Sequence, residues 1–155
     1  MSDGAELLHL PFPPSANTGT RHARGRHYLT AAVRAYREEV RIEVWRQRPS
    51  LRPLTGRLAV ATLWAPPDRR RRDGHNLTKT LHDALTGCLW ADDEQAYTDL
   101  AMRLPSVKPG HALLLVAPWE ARVQLLSSAA QECARRWEQA AGEPTGKRRK
   151  GRNGA

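Results

Sequence analysis

Long apolar runs are missing from this sequence. No stretch approaches the roughly 20 consecutive apolar residues that a membrane-spanning helix requires. The opening residues, MSDGAELLHL, also lack the basic and then apolar order of a signal peptide. We therefore expect a cytoplasmic protein that has no membrane partner.

Cysteine is also scarce, with only Cys88 and Cys133 among 155 residues. Their spacing matches no zinc-binding motif, and two thiols are too few for the disulfide array that staples small secreted domains. We predict that both cysteines are reduced and that neither is a nucleophile.

Acidic residues are few relative to basic ones. The chain has 16 Asp and Glu against 25 Lys and Arg, which gives a formal charge of +9 and a pI near 10.5. Residues 142–155 hold five basic residues and one Glu, so they contribute +4 of the +9 and leave +5 for the rest of the chain. A charge of this sign favours a polyanionic partner, and nucleic acid is the natural candidate.

The spacing of apolar residues alternates between strand and helix periods along the chain. We predict strands at residues 7–11, 57–65, 95–104 and 111–117. We predict helices from Thr30 to about Gln47, from Asn76 (as the N-cap) to Gly87, and over residues 119–141. The order β, α, β, α, β, β, followed by the last helix, predicts a single compact α/β domain with a mixed sheet.

The predicted domain organisation has three parts. We place the domain at residues 1–118, a helical extension at 119–141 and a disordered basic tail at 142–155, because the tail is too polar to pack. The predicted apolar stripe of the extension consists of Val123, Leu126, Ala130, Cys133 and Trp137. The five tryptophans are predicted to be core or interface residues.

Most of the candidate chemistry lies in one segment, DRRRRDGHNLTKTLHDALTGCLWADDEQ. Asp73 and His75 lie at the start of the second predicted helix, Lys79 lies within it, and Asp92 and Asp93 follow its end. If the two ends meet, their carboxylates suit Mg²⁺ or Mn²⁺, which activates water for phosphodiester hydrolysis. Lys79 would then stabilise the developing negative charge. The alternative is structural, with Asp73 and Asn76 serving only to cap a helix and the later aspartates lying in an exposed turn.

Two basic segments predict contacts with phosphate. One is the run Arg69, Arg70, Arg71 and Arg72, and the other is a loop that carries Arg21, Arg24 and Arg26. Guanidinium groups match phosphate oxygens, and we expect that the arginine run cannot easily be neutralised from within. Together with Lys79, these residues are our candidates for DNA binding. The alternative is a pair of solvated basic loops.

Extended strings of this sequence resemble the RusA family of crossover junction endodeoxyribonucleases. The strings are LPFPPSAN, RGR with AYREEV, and PPDRRRRDGHNLTKTLHDALTGCLWADDEQ, and the resemblance covers residues 7–117. It implies a mixed α/β fold, a homodimer, a requirement for Mg²⁺, and paired nicks that resolve a four-way DNA junction.

The resemblance also assigns roles to individual residues. Asp73 and Asp93 correspond to metal-binding carboxylates, Lys79 corresponds to a catalytic lysine, and Asp92 is a further metal candidate. Asp83 also matches a recurring family aspartate, and its position within the helix suggests a structural hydrogen-bonding role.

His75 departs from the family pattern, which has Asp-x-Asp-Asn where this chain has Asp-Gly-His-Asn. Imidazole is accepted better by Mn²⁺ than by Mg²⁺, so the change predicts weaker Mg²⁺ binding or a different metal preference. His75 can instead act as a general base, because imidazole exchanges protons near neutral pH.

Three functional hypotheses follow. The first is a metal-dependent junction endonuclease, and the second is a catalytically impaired protein that binds junction DNA, because His75 replaces a carboxylate. The third is a basic RNA-binding or scaffold module, which predicts no preference for branched DNA.

Overall fold

The computed structural model of the chain describes residues 5–14, 20–23, 26–49 and 52–142. The strands are β1 (Glu6–Pro11), β2 (Thr20–Ala23), β3 (Arg26–Leu29), β4 (Leu58–Ala65), β5 (Ala96–Arg103) and β6 (His111–Pro118). The α-helices are α1 (Ala31–Gln47), α2 (Gly74–Leu85) and α3 (Arg122–Gly142), and short 3₁₀ helices cover Asp93–Gln95 and Trp119–Ala121. The predicted single α/β domain with a C-terminal helix is confirmed. Gly142, the first residue of the predicted tail, is the last residue of α3, and the rest of that tail lies outside the described residues.

The main sheet has the strand order β1, β6, β4, β5. β6 is antiparallel to both β1 and β4, whereas β4 and β5 are parallel. Parallel neighbours require a crossover connection, and α2 supplies it. As a result, α2 begins at the sheet edge where β4 ends and finishes near the edge where β5 begins.

A separate antiparallel hairpin consists of β2 and β3, with Arg21 paired to Tyr28 and Ala23 paired to Arg26. The prediction that the amino-terminal arginines lie in a loop is therefore wrong. Backbone hydrogen bonds pair these two strands, and the polar sequence lacks the apolar alternation that would have indicated them.

The connection from β5 to β6 passes close to the loop that follows β4. Gly110 has a φ of 91°, and a Cβ atom at this position would lie 2.8 Å from Cδ of Pro67. Only glycine accommodates both the backbone conformation and the close approach. Although β5 and β6 follow each other in sequence, β4 lies between them in the sheet.

The core has two layers, one on each face of β4, which is buried along its whole length. On one face α1 and α2 pack through the residues that their spacing predicts, since Val33, Tyr36, Val40 and Val44 of α1 are all buried. On the other face lies α3. The domain boundary at Pro118 stays a prediction.

The predicted apolar stripe of α3 is wrong in part. Leu125 and Ala129 are the fully buried positions, whereas Val123 is 64% exposed. Leu126 and Cys133 flank the buried pair. Small side chains such as Ala129 allow a close contact between helix and sheet, so the buried face follows size as well as hydropathy.

The tryptophans divide between the core and the surface. Trp64 and Trp90 are buried, as predicted, whereas Trp45 and Trp137 are 62% and 50% exposed. Cys88 is a buried free thiol whose pKa is raised by desolvation, which agrees with a residue that is not a nucleophile. Among the described helices, none is long and apolar enough to cross a membrane.

Candidate active site

Asp73 is the N-cap of α2. Its Oδ1 accepts a hydrogen bond from the backbone N–H of His75 at 3.0 Å, and its Oδ2 accepts one from Nδ2 of Asn76, also at 3.0 Å. The prediction that Asn76 is the N-cap of this helix is therefore wrong. A carboxylate at the start of a helix satisfies free N–H groups and faces the positive end of the helix dipole, so Asp73 caps and Asn76 supports the cap.

The start of α2 presents its candidate residues on one exposed face. His75 and Lys79 are exposed and four residues apart, which makes them neighbours on a helix surface. Leu77 and Leu81 are buried on the opposite face and anchor the helix to the core. The structure thus places Lys79 and His75 on the solvent-facing side of the helix that Asp73 caps.

Asp83 lies further along the same face, and its Oδ2 is 3.6 Å from a guanidinium nitrogen of Arg37 on α1. This contact joins two packed helices and agrees with the predicted structural role.

Asp92 and Asp93 lie in the 3₁₀ segment beyond the other end of α2. The Asp92 side chain accepts a hydrogen bond from the backbone N–H of Glu94 at 3.0 Å. This bond is the largest contribution that lowers the pKa of the Asp92 carboxyl group. Gln95 completes a capping box and donates to the carbonyl oxygen of Leu54 at 3.0 Å, which ties the segment to the domain.

The two groups of candidate residues lie at opposite ends of the parallel strands β4 and β5. α2 has 12 residues, and a rise of 1.5 Å per residue gives a length of about 18 Å. Ala96, directly after the Asp93 segment, pairs with Leu58 at the start of β4, whereas Asp73 follows the end of β4. In the part of the chain that the structure describes, no three His, Cys, Asp or Glu side chains are grouped to hold a metal ion. One chain therefore brings Asp73, His75 and Lys79 to one end of α2 and leaves Asp93 at the other.

Asp68 is a residue whose role the sequence did not indicate. Its two carboxylate oxygens accept hydrogen bonds from Arg72 at 2.7 and 3.0 Å, and Oδ1 also accepts from the backbone N–H of Arg70 at 2.9 Å. These bonds, led by the one from the Arg72 side chain, lower the pKa of Asp68 to about 2. The expectation that the arginine run cannot be neutralised from within is thus wrong for Arg72. Spacing of i and i+4 is a local signal that could have found this pair.

The other arginines of the run differ among themselves. Nε of Arg70 also lies within ion-pairing distance of Oδ2 of Asp68, at 3.8 Å. Arg69 and Arg71 are exposed, and the ion pairs found among the described residues include neither of them. These two side chains are therefore available to bind phosphate.

A cavity of about 190 Å³ adjoins the start of α2. Its lining includes Phe12, Trp64, Arg72, Gly74 and Met102. The Arg72 guanidinium carbon lies 5.5 Å from the ring centroid of Phe12, so the pairing with Asp68 also shapes the wall of this cavity.

The amino-terminal basic residues are described only in part. Arg21 lies on β2 and Arg26 on β3, and Arg24 lies outside the described residues. Their binding of DNA stays a prediction.

Comparison with known proteins identifies the family. The sequence model named Endodeoxyribonuclease RusA matches residues 11–112. The chain belongs to the RusA family. The chain is 36% identical over 119 residues to the crossover junction endodeoxyribonuclease rusA of Enterobacteria phage 82, an alignment that covers 70% of this chain and 91% of that protein. It is also 36% identical over 110 residues to the proteins named crossover junction endodeoxyribonuclease RusA of Shigella sonnei (strain Ss046) and Escherichia coli (strain K12), with the same shares covered.

These matches confirm the resemblance that the sequence strings indicate and place the chain in a family of DNA-hydrolysing nucleases. The RusA match spans the arginine run, α2 and the Asp93 segment, and it ends before α3. Membership of an endodeoxyribonuclease family argues against the RNA-binding or scaffold hypothesis.

Proposed function

We propose that this RusA-family protein is a metal-dependent, structure-specific endonuclease that resolves four-way DNA junctions by paired nicks. The observation that carries the proposal is the grouping of Asp73, His75 and Lys79 at the exposed start of α2. This group directly follows Arg69 and Arg71, which form no ion pair with another described residue. We take a four-way junction as the substrate because its relatives are named crossover junction endodeoxyribonucleases.

The separation of Asp73 from Asp93 supports a homodimeric site. Oxygen ligands of Mg²⁺ lie about 2.1 Å from the ion, so two ligands of one ion lie within roughly 4 Å of each other. The length of α2 keeps Asp73 and Asp93 of one chain much farther apart. A twofold axis can bring Asp93 of a second copy to Asp73 of the first and repeat the arrangement at a second, equivalent site. Two such sites agree with two nicks per junction.

The donor chemistry of these residues fits a hard divalent cation. Each carboxylate oxygen of Asp73 accepts one hydrogen bond and keeps a lone pair for a further partner, and Asp93 is exposed. We propose Asp73 and Asp93 as ligands, with Asp92 and His75 as further candidates. When bound, the ion supplies charge neutralisation at the scissile phosphate and lowers the pKa of water.

The protein's own cations account for the rest of the reaction. Lys79, one turn along the exposed face from His75, stabilises negative charge on the phosphate or on the departing oxygen. Arg69 and Arg71 hold the adjacent backbone, with the amino-terminal arginines as the second contact. Mn²⁺ suits the site better than Mg²⁺ if His75 is a ligand, and His75 acts as the general base if it is not.

A mixing experiment tests the shared site. Asp73→Asn and Asp93→Asn proteins should each be inactive on a labelled four-way junction, whereas their mixture should recover single nicks. Recovery follows because a hybrid dimer holds one site with both carboxylates intact. The matched control mixes Asp73→Asn with Lys79→Gln, which damages the same end of α2 in both copies and should recover nothing. Inactivity of both mixtures would exclude a site shared between copies.

His75 also supports a second candidate function, a protein that binds junctions without cutting them. Native protein, assayed with Mg²⁺, Mn²⁺ or chelator, distinguishes the two. Metal-dependent paired nicks that Asp93→Asn abolishes would establish the enzyme. Tight binding without nicks in any metal, together with cutting by His75→Asp protein, would establish the binder.

A further inference from the structure

Four side chains form a continuous series of contacts, in which two cations lie over aromatic rings and the two rings meet edge to face. The guanidinium carbon of Arg57 lies 4.7 Å from the ring centroid of Tyr97, and the rings of Tyr97 and Trp119 have centroids 5.8 Å apart. The guanidinium carbon of Arg122 lies 4.7 Å from the ring centroid of Trp119. We call these four residues the basic-aromatic ladder.

The ladder lies at the same sheet edge as Asp93. Tyr97 is the second residue of β5 and follows Asp93 by four positions, and Arg57 directly precedes β4. The backbone N–H of Trp119 donates to the carbonyl oxygen of Arg57 at 3.0 Å, which fixes the start of the C-terminal extension to this edge. The main sheet and the extension therefore build the ladder together.

The groups of the ladder are available to a ligand. Tyr97 is 54% exposed on an edge strand of the main sheet. Within the described part of the chain, neither Arg57 nor Arg122 has an acidic side chain within ion-pairing distance. Each guanidinium lies over a ring, which orients the cation. One Arg122 N–H group donates to the carbonyl oxygen of Trp119 at 3.1 Å, and the other N–H groups of the guanidinium can bind phosphate.

We propose that the basic-aromatic ladder binds bases of the DNA substrate that open from pairing at the exchange point of the junction, next to the Asp93 end of the nuclease site. An unpaired base stacks on Tyr97, and the flanking phosphates bind Arg57 and Arg122. Exposed aromatic rings between basic side chains are the usual platform for single-stranded nucleic acid, because every base offers a π face and every linkage offers a negative charge. The inference rests on the proposed function, since branched DNA is the ligand.

The ladder extends beyond the part of the chain shared with the family. Trp119 and Arg122 follow residue 112, where the RusA match ends. The formal charge of +9 favours DNA over an acidic or apolar protein surface as the occupant. The C-terminal extension thus contributes to substrate binding as well as covering one face of the sheet.

Binding measured in chelator tests the ladder without cleavage. The probes are a labelled single strand, a labelled four-way junction and a labelled blunt duplex, each followed by fluorescence anisotropy. Tyr97→Ala should weaken binding of the single strand by roughly fivefold to a hundredfold, whereas Tyr97→Phe, which keeps the ring, should bind as the native protein does. Trp45→Ala, which removes an aromatic side chain on α1 that is 62% exposed, is the matched control and should leave binding unchanged.

The cations are tested by salt dependence. Arg57→Gln and Arg122→Gln should each reduce the slope of log affinity against log salt concentration by about 1. Arg46→Gln, which removes an arginine already paired with Glu43 at 2.6 Å, should leave that slope unchanged. Thermal unfolding midpoints and sedimentation masses of all variants accompany the titrations.

The outcomes separate this inference from the proposed function. Native affinity and slope in the Tyr97→Ala, Arg57→Gln and Arg122→Gln proteins would overturn the ladder, even if the native protein cuts junctions. Loss of dimer mass with unchanged DNA binding would also overturn it, because the surface would then be a contact between copies. Weaker single-strand binding by Tyr97→Ala in a protein that never nicks DNA would support the ladder and contradict the endonuclease.

Discussion

Asp68 holds Arg72 through two hydrogen bonds, at 2.7 and 3.0 Å, inside a run of four consecutive arginines. One guanidinium of the run is therefore oriented by the protein itself, while Arg69 and Arg71 stay exposed. The division matters because Arg72 also lines the cavity beside the start of α2. We infer that Arg72 shapes the surface next to Asp73 and that its neighbours contact DNA.

Removal of the Asp68 carboxylate should release a further cation. In Asp68→Asn protein, Arg72 and Arg70 both lose their carboxylate partner, so the slope of log affinity against log salt concentration should steepen by about 0.9 for each of them that then binds phosphate. Anisotropy titrations of a labelled duplex over a series of salt concentrations measure this slope. Glu132→Gln, which releases Arg135 and Arg136 on α3, is the matched control and should not steepen it. A shallower slope in Asp68→Asn protein would show that Arg72 already contacts DNA in the native protein.

The pairing of Asp68 with Arg72 should persist to unusually low pH. Asp68 has its pKa lowered from 3.8 to about 2, mainly by the hydrogen bond from Arg72. A lowered carboxyl pKa means that the stabilisation is fully present above pH 3.8 and is lost as the pH falls through about 2. An NMR titration of the Asp68 carboxyl carbon should therefore show no midpoint near pH 4. A midpoint near 4 would mean that the ion pair does not form in solution.

Local patterns predicted those features that local physics determines. Val33, Tyr36, Val40 and Val44 recur at helical spacing because one face of α1 is buried, so the sequence alone located that helix. Local rules do not choose between Asp73 and Asn76 as the N-cap of α2, because Asp and Asn cap helices about equally well.

Features that depend on tertiary structure had no such signal. Whether Asp73 and Asp93 meet depends on the crossover that α2 makes between parallel strands. The number of residues between the two aspartates does not determine the distance between their side chains. The ladder joins residues 57, 97, 119 and 122, which strand order alone brings together. The pairing of Asp68 with Arg72 is local. The sequence does not single it out, because four consecutive arginines follow Asp68 and any of them could be its partner.

The buried face of α3 can be tested by truncation. Leu125 is 1% exposed, so Leu125→Ala should lower the free energy of unfolding by about 2–5 kcal/mol through lost burial and a cavity. Val123, on the same helix and 64% exposed, is the matched control, and Val123→Ala should change stability by less than about 0.5 kcal/mol. Urea unfolding followed by tryptophan fluorescence gives both values. A larger loss for Val123→Ala would mean that the predicted stripe, and not the observed one, faces the sheet.

Asp73 should have separable structural and chemical roles. Asp73→Ala removes both hydrogen bonds of the cap and should lower the free energy of unfolding by about 0.5–2 kcal/mol. Asp73→Asn keeps a capping oxygen and should retain most of that stability, yet it removes the negative charge that a metal ligand requires. Urea unfolding and junction nicking, measured on both variants, separate the two roles. Nicking by Asp73→Asn protein at the native rate would show that Asp73 serves only as a helix cap and is not a metal ligand.

His75 provides a test of metal preference, because it occupies the position where the family pattern has a second aspartate. His75→Asp should shift nicking and metal affinity from Mn²⁺ towards Mg²⁺, since Mg²⁺ prefers oxygen ligands and Mn²⁺ accepts imidazole. The change should not unfold the protein, because His75 is exposed in the first turn of α2, where the helix dipole favours an acidic side chain. Calorimetric titration of both ions into native and variant protein gives the affinities without cleavage, and His82→Asp, on the same helix, is the control for an added charge. An unchanged ratio of Mn²⁺ to Mg²⁺ affinity in His75→Asp protein, together with loss of nicking, would assign His75 to proton transfer rather than to the metal.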